Sequence, residues 1–251
     1  MANKPTTTIT AMKKIWARVK DGIKNGEDWR YYNSKTSATF DAAIKNKNWR
    51  ANCATIANWC LRMLGVFKSG QYMWGKSGEI SCSDGTMDTL KEKCTLIHVN
   101  GKKTVDQCIK DEWLRPGDIV MYQNLWHTNI YAGNGKWYDA GHAYCRETGE
   151  GAKFIKWLGG TVYGDQPVSY IITYPKREKV YRVRVGIYKQ KTNVAAIRAK
   201  IKEATGLDCF IEHFSDGIHV FCGSFGKKKD ANERRKLLMD KKFDAKVVSP
   251  W

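Results

Sequence analysis

The sequence predicts an α+β protein of two domains, and three observations carry that prediction. Helical periodicity of apolar residues opens the chain, whereas strands and turns follow from Asp118 onward. Beyond Lys176 a strand-helix-strand pattern occurs twice in succession. The 251 residues include ten Trp and are 42% hydrophobic, a composition that favours packed cores over disorder. No apolar run approaches the roughly 20 residues of a membrane span.

Helices are predicted first in the N-terminal domain, residues 1–174. The opening helix has one apolar stripe and ends near Gly26, a second helix covers about Thr39 to Asn46, and a third contains Cys53. Residues 67–112 give no assignable pattern. The stripe of the first helix consists of Ile9, Met12, Ile15, Trp16, Val19 and Ile23. A charged, proline-led linker, residues 175–179, then precedes the C-terminal domain, residues 180–251.

The third helix places a cysteine at its N-terminus. Asn52 is a favourable N-cap, so Cys53 is the first residue of the helix. The positive end of a helix dipole stabilises a thiolate, and an adjacent imidazole stabilises it further. Cys60 lies two turns deeper among apolar residues and is interpreted as a packing residue. The sequence thus offers Cys53 as a candidate nucleophile, with an ordinary buried thiol as the alternative.

A histidine precedes the second strand of a predicted hairpin. His127 lies at the tip of this strand, and Gly133, Asn134 and Gly135 separate it from the returning strand. The length of the turn decides what lies beside the imidazole. A two-residue turn places His142 opposite His127, whereas a three-residue bulged loop brings Asp139 diagonally beside it. Because an acid is the better orienter of an imidazolium, Asp139 is the favoured third residue.

These segments resemble the NlpC-type and CHAP cell-wall amidohydrolases, which have a papain-like fold. The resemblance is carried by RPGDIVMY and HTNIYAGNGKWYDAG, over about residues 45–145. It implies a cysteine peptidase or amidase with Cys53 as nucleophile, His127 as base and Asp139 as the third polar residue. The usual Asp-Cys-Ser-Gly motif is replaced here by Asn-Cys-Ala-Thr, which leaves the scissile bond open. Three tryptophans near the site are candidates for a substrate groove or for the core: Trp49, Trp126 and Trp137.

The C-terminal repeat predicts a ferredoxin-like βαββαβ domain. The first copy starts with YRVRVGIY and the second with GIHVFCGSFG, and each continues into a helix. Strict alternation directs Tyr181, Val183, Val185 and Ile187 toward the helices. The opposite, open face of the sheet is then predicted to bind a ligand through six residues: Arg182, Arg184, Tyr188, His219, Phe221 and Phe225.

This repeat resembles the SPOR domain, a small peptidoglycan-binding module. The carriers are YRVRVGIY with NVAAIRAKI and GIHVFCGSFG with DANERRKLL, over residues 180–249. The resemblance implies binding of denuded glycan strands through the open face. An RNA-binding module has the same strand order, but the sequence has no clear ribonucleoprotein signature, so no nucleic acid partner is expected.

The net charge and the cysteines indicate the kind of partner, the redox state of the thiols and the absence of a usual zinc motif. A formal net charge of +18 favours a polyanionic partner such as nucleic acid or a bacterial cell wall. The eight cysteines form no CxxC pair and are expected to be reduced, although Cys209 and Cys222 lie opposite each other if residues 214–217 form a hairpin loop. A zinc site from Cys82, Cys94 and His98 fits no usual spacing, so neither a metal nor a cofactor is expected.

The combined hypothesis is a peptidoglycan hydrolase of the phage endolysin type, with a host autolysin as the nearby variant. The opening residues contain no apolar signal core. We therefore expect a monomer that is made in the cytoplasm without a signal peptide and acts on the bacterial cell wall after release. The alternatives are a non-catalytic wall-binding protein and a basic RNA-binding protein.

Overall fold

A computed structural model of the protein describes residues 6–34, 36–138, 140, 158–159, 163–214 and 216–249. The chain divides into two compact units. The first comprises residues up to Ile109 and Leu114–Arg177, and the second comprises Lys110–Trp113 and residues from Glu178 onward. The predicted linker, residues 175–179, is thus shared between the two units.

Helices and strands are mixed throughout both units. The helices are α1 Thr8–Lys24, α2 Phe40–Lys45, α3 Cys53–Met63, α4 Thr86–Lys93, α5 Val105–Lys110, α6 Lys191–Thr205 and α7 Lys228–Asp240. The strands of the first unit are β1 Arg30–Tyr31, β2 Arg50–Ala51, β3 Met73–Lys76, β4 Glu79–Cys82, β5 Thr95–His98, β6 Ile119–Tyr122, β7 Thr128–Gly133, β8 Lys136–Tyr138, β9 Leu158–Gly159 and β10 Val168–Thr173. Those of the second unit are β11 Tyr181–Tyr188, β12 Phe210–Phe214, β13 Gly217–Phe225 and β14 Lys246–Val248.

An antiparallel sheet of six strands organises the first unit, in the order β5-β10-β6-β7-β8-β9. Helices α1 and α3 contribute to the core that packs with this sheet. The stripe predicted for α1 is confirmed at Met12, Ile15 and Val19, which are fully buried, whereas Ile23 is 40% exposed. The capping box of Thr7 and Thr10 starts this helix.

The segment without a sequence assignment, residues 67–112, contains regular structure. Strands β3 and β4 form a short antiparallel hairpin, and β5 joins the edge of the main sheet beside β10. Because β5 pairs with a strand far along the chain, no local pattern of turn residues announces it.

The hairpin of β7 and β8 combines the two predicted turns. Gly133 pairs with Lys136 around a two-residue turn, but Tyr131 pairs with Trp137, because the register shifts at Ala132. The bulge therefore gives the body of the hairpin the register predicted for the longer loop. Both candidates for the third residue, Asp139 and His142, lie outside the described residues.

A buried ion pair anchors the start of β6 and the end of β10. The carboxylate of Asp118 pairs with the guanidinium of Arg177, and both side chains are 1% exposed. Asp118 also accepts hydrogen bonds from the Thr173 hydroxyl at 2.7 Å and from the Arg115 backbone N–H at 2.7 Å. Burial raises the pKa of Asp118, and Arg177 opposes that shift. The Asp of the RPGD segment therefore has a structural role.

The second unit has the predicted βαββαβ order. Its antiparallel sheet runs β12-β13-β11-β14, and α6 and α7 pack against it. The predicted core residues Val183 and Val185 are buried, and so are Ile218 and Val220 in the second copy of the repeat. Cys209 and Cys222 form a disulfide with a Cα–Cα distance of 4.6 Å, so these two cysteines are not the reduced thiols that we expected.

Two bulges correct part of the predicted face assignment. The register between β11 and β13 shifts on either side of the Arg184–Phe221 pair. Because each shift reverses the alternation of side chains, Tyr188 and Phe225 pack against the core under the helices, not on the open face. Gly223, with φ of +113°, supplies the backbone conformation of one bulge.

The same shift moves Ile187 away from the helix side. Ile187 pairs with His219 and is 40% exposed, although strict alternation predicts that it is buried. Across the described parts of both units, no helix has the length and apolar character needed to cross a membrane.

Candidate functional site

The predicted start of α3 is confirmed. Asn52 is the N-cap, and its side-chain oxygen accepts a hydrogen bond from the Thr55 backbone N–H at 2.8 Å. Cys53 is the first residue of the helix and is partly exposed. Cys60 is fully buried, and burial raises the pKa of its thiol, so this cysteine is a packing residue as predicted.

Cys53 and His127 line the same cavity. This Cys53–His127 cavity has a volume of about 800 Å³. Helix α3 supplies Cys53, and His127 directly precedes β7, the strand that packs against α3. The structure thus brings together two residues that are far apart in the chain and that the sequence predicts to act together. The remaining lining residues are Tyr31, Asn33, Asn52, Ala54, Trp74, Gly75, Leu125, Trp126 and Tyr163.

Two tyrosines hold the imidazole of His127. Its Nε2 atom lies 3.1 Å from the hydroxyl of Tyr163, within hydrogen-bonding distance. The ring of Tyr163 lies 5.2 Å from the imidazole, and that of Tyr122 lies 5.9 Å away at an angle of 21°. Tyr122 is in turn fixed by a hydrogen bond of 2.8 Å from its hydroxyl to Asn129.

The sequence analysis missed Tyr163 as a site residue. It lies just before β10 and is 8% exposed. No spacing links it to His127, because the two residues meet only through the order of strands in the sheet. A tyrosine shortly before a strand is too common in protein sequences to indicate a site residue.

Gly75 of β3 permits a close approach to His127. A Cβ atom added at this position would lie 2.5 Å from the backbone oxygen of His127 and 2.9 Å from the hydroxyl oxygen of Thr128. The N–H of Gly75 donates to that same hydroxyl at 3.0 Å. Any side chain at this position therefore separates β3 from His127.

The tryptophans near the site divide between groove and core. Trp126 lines the Cys53–His127 cavity and is 67% exposed, with the Lys76 ammonium 5.7 Å from its ring centroid. Trp137 is fully buried, and Trp49 packs against the core. Trp74, which the sequence analysis did not single out, also lines the cavity.

A second cavity, of about 450 Å³, is lined in part by residues at the N-terminus of α3. It shares Asn33, Asn52, Ala54 and Trp74 with the Cys53–His127 cavity, so the two adjoin. Arg62 of α3 also lines it.

The residues considered for zinc do not form a metal site. His98 stacks on Tyr170 with ring centroids 4.4 Å apart, and Cys94 is buried. Within the described ranges, no group of three or more His, Cys, Asp or Glu side chains is arranged to hold a metal ion.

In the second unit, the open face of the sheet has an inner layer of buried side chains and an outer layer of partly exposed side chains. Phe221 and His219 are 2% and 7% exposed, so neither offers much surface to a ligand. The ring of Phe210 stacks on Phe221 at 5.3 Å, and the guanidinium of Arg182 lies 5.4 Å from the same ring. Arg182 is also paired with Glu212.

The outer layer of this face includes β12 residues that the sequence analysis did not propose. Phe210 pairs with Phe221, and Phe214 lies 4.3 Å from His219 between ring centroids. The alternation in the β12 sequence Phe-Ile-Glu-His-Phe is the signal that predicts both. Arg184 is partly exposed opposite Phe221, and it forms no ion pair with the residues described here.

A scan against protein-family models matches residues 155–211 to the SPOR domain, a peptidoglycan-binding module. The match includes β10, β11 and α6 and ends within β12, whereas the sequence resemblance covers residues 180–249. The SPOR assignment is therefore confirmed for the first copy of the repeat. Neither the curated proteins nor the solved structures contain a significant match to the chain.

Proposed function

We propose that this protein binds peptidoglycan at the bacterial cell wall and contacts the glycan through the open face of its C-terminal sheet. The observation that carries this proposal is the SPOR match at residues 155–211. Partly exposed aromatic rings and arginines on one sheet face suit a sugar polymer that offers both flat apolar surfaces and polar groups. The net charge of +18 favours approach to an anionic wall.

A pull-down of the full chain with denuded glycan strands tests this proposal. Arg184→Gln is expected to weaken binding about tenfold, since a hydrogen bond from a charged group contributes roughly 1.5 kcal/mol. Lys229→Gln is the matched control, because Lys229 is an exposed cation on α7. Equal binding of Arg184→Gln and the control contradicts the proposed face. Equal affinity for RNA at physiological salt contradicts the glycan specificity.

A second function, amide hydrolysis by the N-terminal domain, is supported by the cavity that Cys53 and His127 share. We propose a papain-like cysteine peptidase or amidase that cleaves an amide in the stem peptide or at its junction with the glycan. It acts as an endolysin or autolysin. A thiolate at a helix N-terminus beside an imidazole is the arrangement that acyl transfer at neutral pH requires.

In the proposed reaction the Cys53 thiolate attacks the amide carbonyl carbon, and the C–N bond breaks as His127 protonates the leaving amine. The resulting thioester is hydrolysed by a water molecule that gives a proton to His127. The backbone N–H of Cys53 at the helix start is the proposed donor to the oxyanion. No step needs a metal or a cofactor.

Loss of turbidity of purified cell walls, with release of new amino groups, measures this activity. Cys53→Ala is expected to abolish both signals. Cys82→Ala is the control, because Cys82 is also a partly exposed free thiol but does not line the cavity. Unchanged lysis by Cys53→Ala refutes the hydrolase and leaves the wall-binding proposal standing.

A further inference from the structure

The second cavity adjoins the Cys53–His127 cavity at the N-terminus of α3. Of the four lining residues that they share, Asn52 and Ala54 flank Cys53 in the sequence, whereas Asn33 lies before α2 and Trp74 lies in β3. A chain molecule that places one bond at Cys53 therefore has its next residues within reach of the second cavity.

Arg62 is the charged residue among the described residues that line this second cavity. It lies in the last turn of α3, and its Nη2 atom donates to the backbone oxygen of Gln71 at 2.5 Å. Its buried Nε atom has no hydrogen-bond partner, and no carboxylate among the described residues lies within ion-pair distance. Burial lowers the pKa of this guanidinium. The cation is thus partly removed from water without a counter-charge.

The other described walls of the cavity are polar or aromatic and carry no acid. Ser37 and Thr36 contribute from the loop before α2, and Tyr72 and Trp74 stack on each other at 5.4 Å to form one side. The amide of Asn58 already donates to and accepts from the backbone of Met73 at 2.9 Å. Among these described residues, Arg62 is therefore the group that selects the charge of a ligand.

We propose that the second cavity is a subsite for a carboxylate-bearing residue of the stem peptide, with Arg62 as its counter-charge. This inference rests on the proposed action of the N-terminal domain on peptidoglycan. A carboxylate in the cavity supplies a negative charge to the guanidinium of Arg62. A primary amide in place of the carboxylate lacks the charge, so the subsite discriminates between free and amidated stem peptides.

Binding is measured with the full-length Cys53→Ala protein, which separates recognition from chemistry. The probes are two synthetic tripeptides, L-Ala-γ-D-Glu-L-Lys with a free α-carboxylate on its second residue and the same peptide with that group as a primary amide. Both carry an amidated C-terminus. Isothermal titration is expected to show about tenfold tighter binding of the carboxylate peptide.

Arg62→Gln in the same background is expected to remove this tenfold preference and to leave the affinity for the amidated peptide unchanged. Arg62→Lys keeps the charge and is expected to retain part of the preference, which guards against a folding defect in the glutamine variant. Lys91→Gln, an exposed cation outside the cavity, controls for net charge.

Equal affinity for the two peptides overturns the proposed subsite. So does a preference that persists in Arg62→Gln, or displacement of the carboxylate peptide by an equal concentration of inorganic phosphate. Because Cys53→Ala is inactive by design, these outcomes do not depend on the lysis assay. Failure of the hydrolase proposal appears separately, as lysis that Cys53→Ala does not abolish.

Discussion

Removing one hydroxyl group, in Tyr163→Phe, tests how the base of the proposed reaction is held. The hydroxyl lies 3.1 Å from Nε2 of His127 and accepts a hydrogen bond from this nitrogen when the ring is an imidazolium. The phenyl ring keeps the contact with the imidazole. A hydrogen bond to a charged group contributes roughly 1.5–3 kcal/mol, and His127 is partly exposed, so water replaces some of the loss. We therefore expect kcat to fall about tenfold with little change in KM.

Alkylation of Cys53 by iodoacetamide across pH reports the same interaction without any substrate. A less stable imidazolium stabilises a neighbouring thiolate less, so alkylation of Cys53 is expected to be slower in Tyr163→Phe than in the unsubstituted protein. Tyr131→Phe is the control, since its hydroxyl accepts from the Gly135 N–H in the hairpin turn.

Two results refute the role of Tyr163. One is an unchanged kcat and alkylation profile in Tyr163→Phe. The other is a larger loss of kcat in Asp139→Asn than in Tyr163→Phe, which favours Asp139 as the orienting residue.

Three further substitutions test the framework of the two units. Gly75→Ala is expected to lower kcat and to lower the free energy of unfolding by about 1–3 kcal/mol, because the new Cβ meets the His127 backbone oxygen at 2.5 Å. An unchanged free energy of unfolding in denaturant contradicts the close approach. Asp118→Asn leaves a buried guanidinium without its anion and is expected to cost about 3–5 kcal/mol in urea unfolding, and a loss below about 1 kcal/mol argues against burial of the pair. Cys209→Ser, which also frees Cys222, is expected to lose about 3 kcal/mol under oxidising conditions and nothing under dithiothreitol, whereas equal losses in both conditions point to packing instead of the cross-link.

The local features of the candidate site could be predicted from sequence because short-range chemistry sets them. An N-cap involves four consecutive residues, so Asn52 specifies where α3 begins and places Cys53 at the helix start. Apolar periodicity likewise identified Cys60 as a packing residue. The strand Ile119–Tyr122 follows from a short apolar run after the Pro-Gly turn, and the hairpin after His127 follows from its turn glycines.

Register-dependent features escaped the same reasoning. Alternation assigns a face only while the pairing is regular, and the bulges in β11 and β13 moved Tyr188 and Phe225 to the helix side. A bulge inserts a residue without leaving a distinctive composition, so a period of two does not reveal it.

Neighbouring residues alone produce the cysteine at a helix start, the histidine before a strand and the repeated βαβ pattern, so all three could be predicted from sequence. The folded molecule was needed to show that Cys53 and His127 share a cavity, that Tyr163 contacts the imidazole and that Arg62 lines an adjoining cavity. These relations join residues that are distant in the chain. They arise from the strand order of the sheet and from burial, which sequence spacing does not encode.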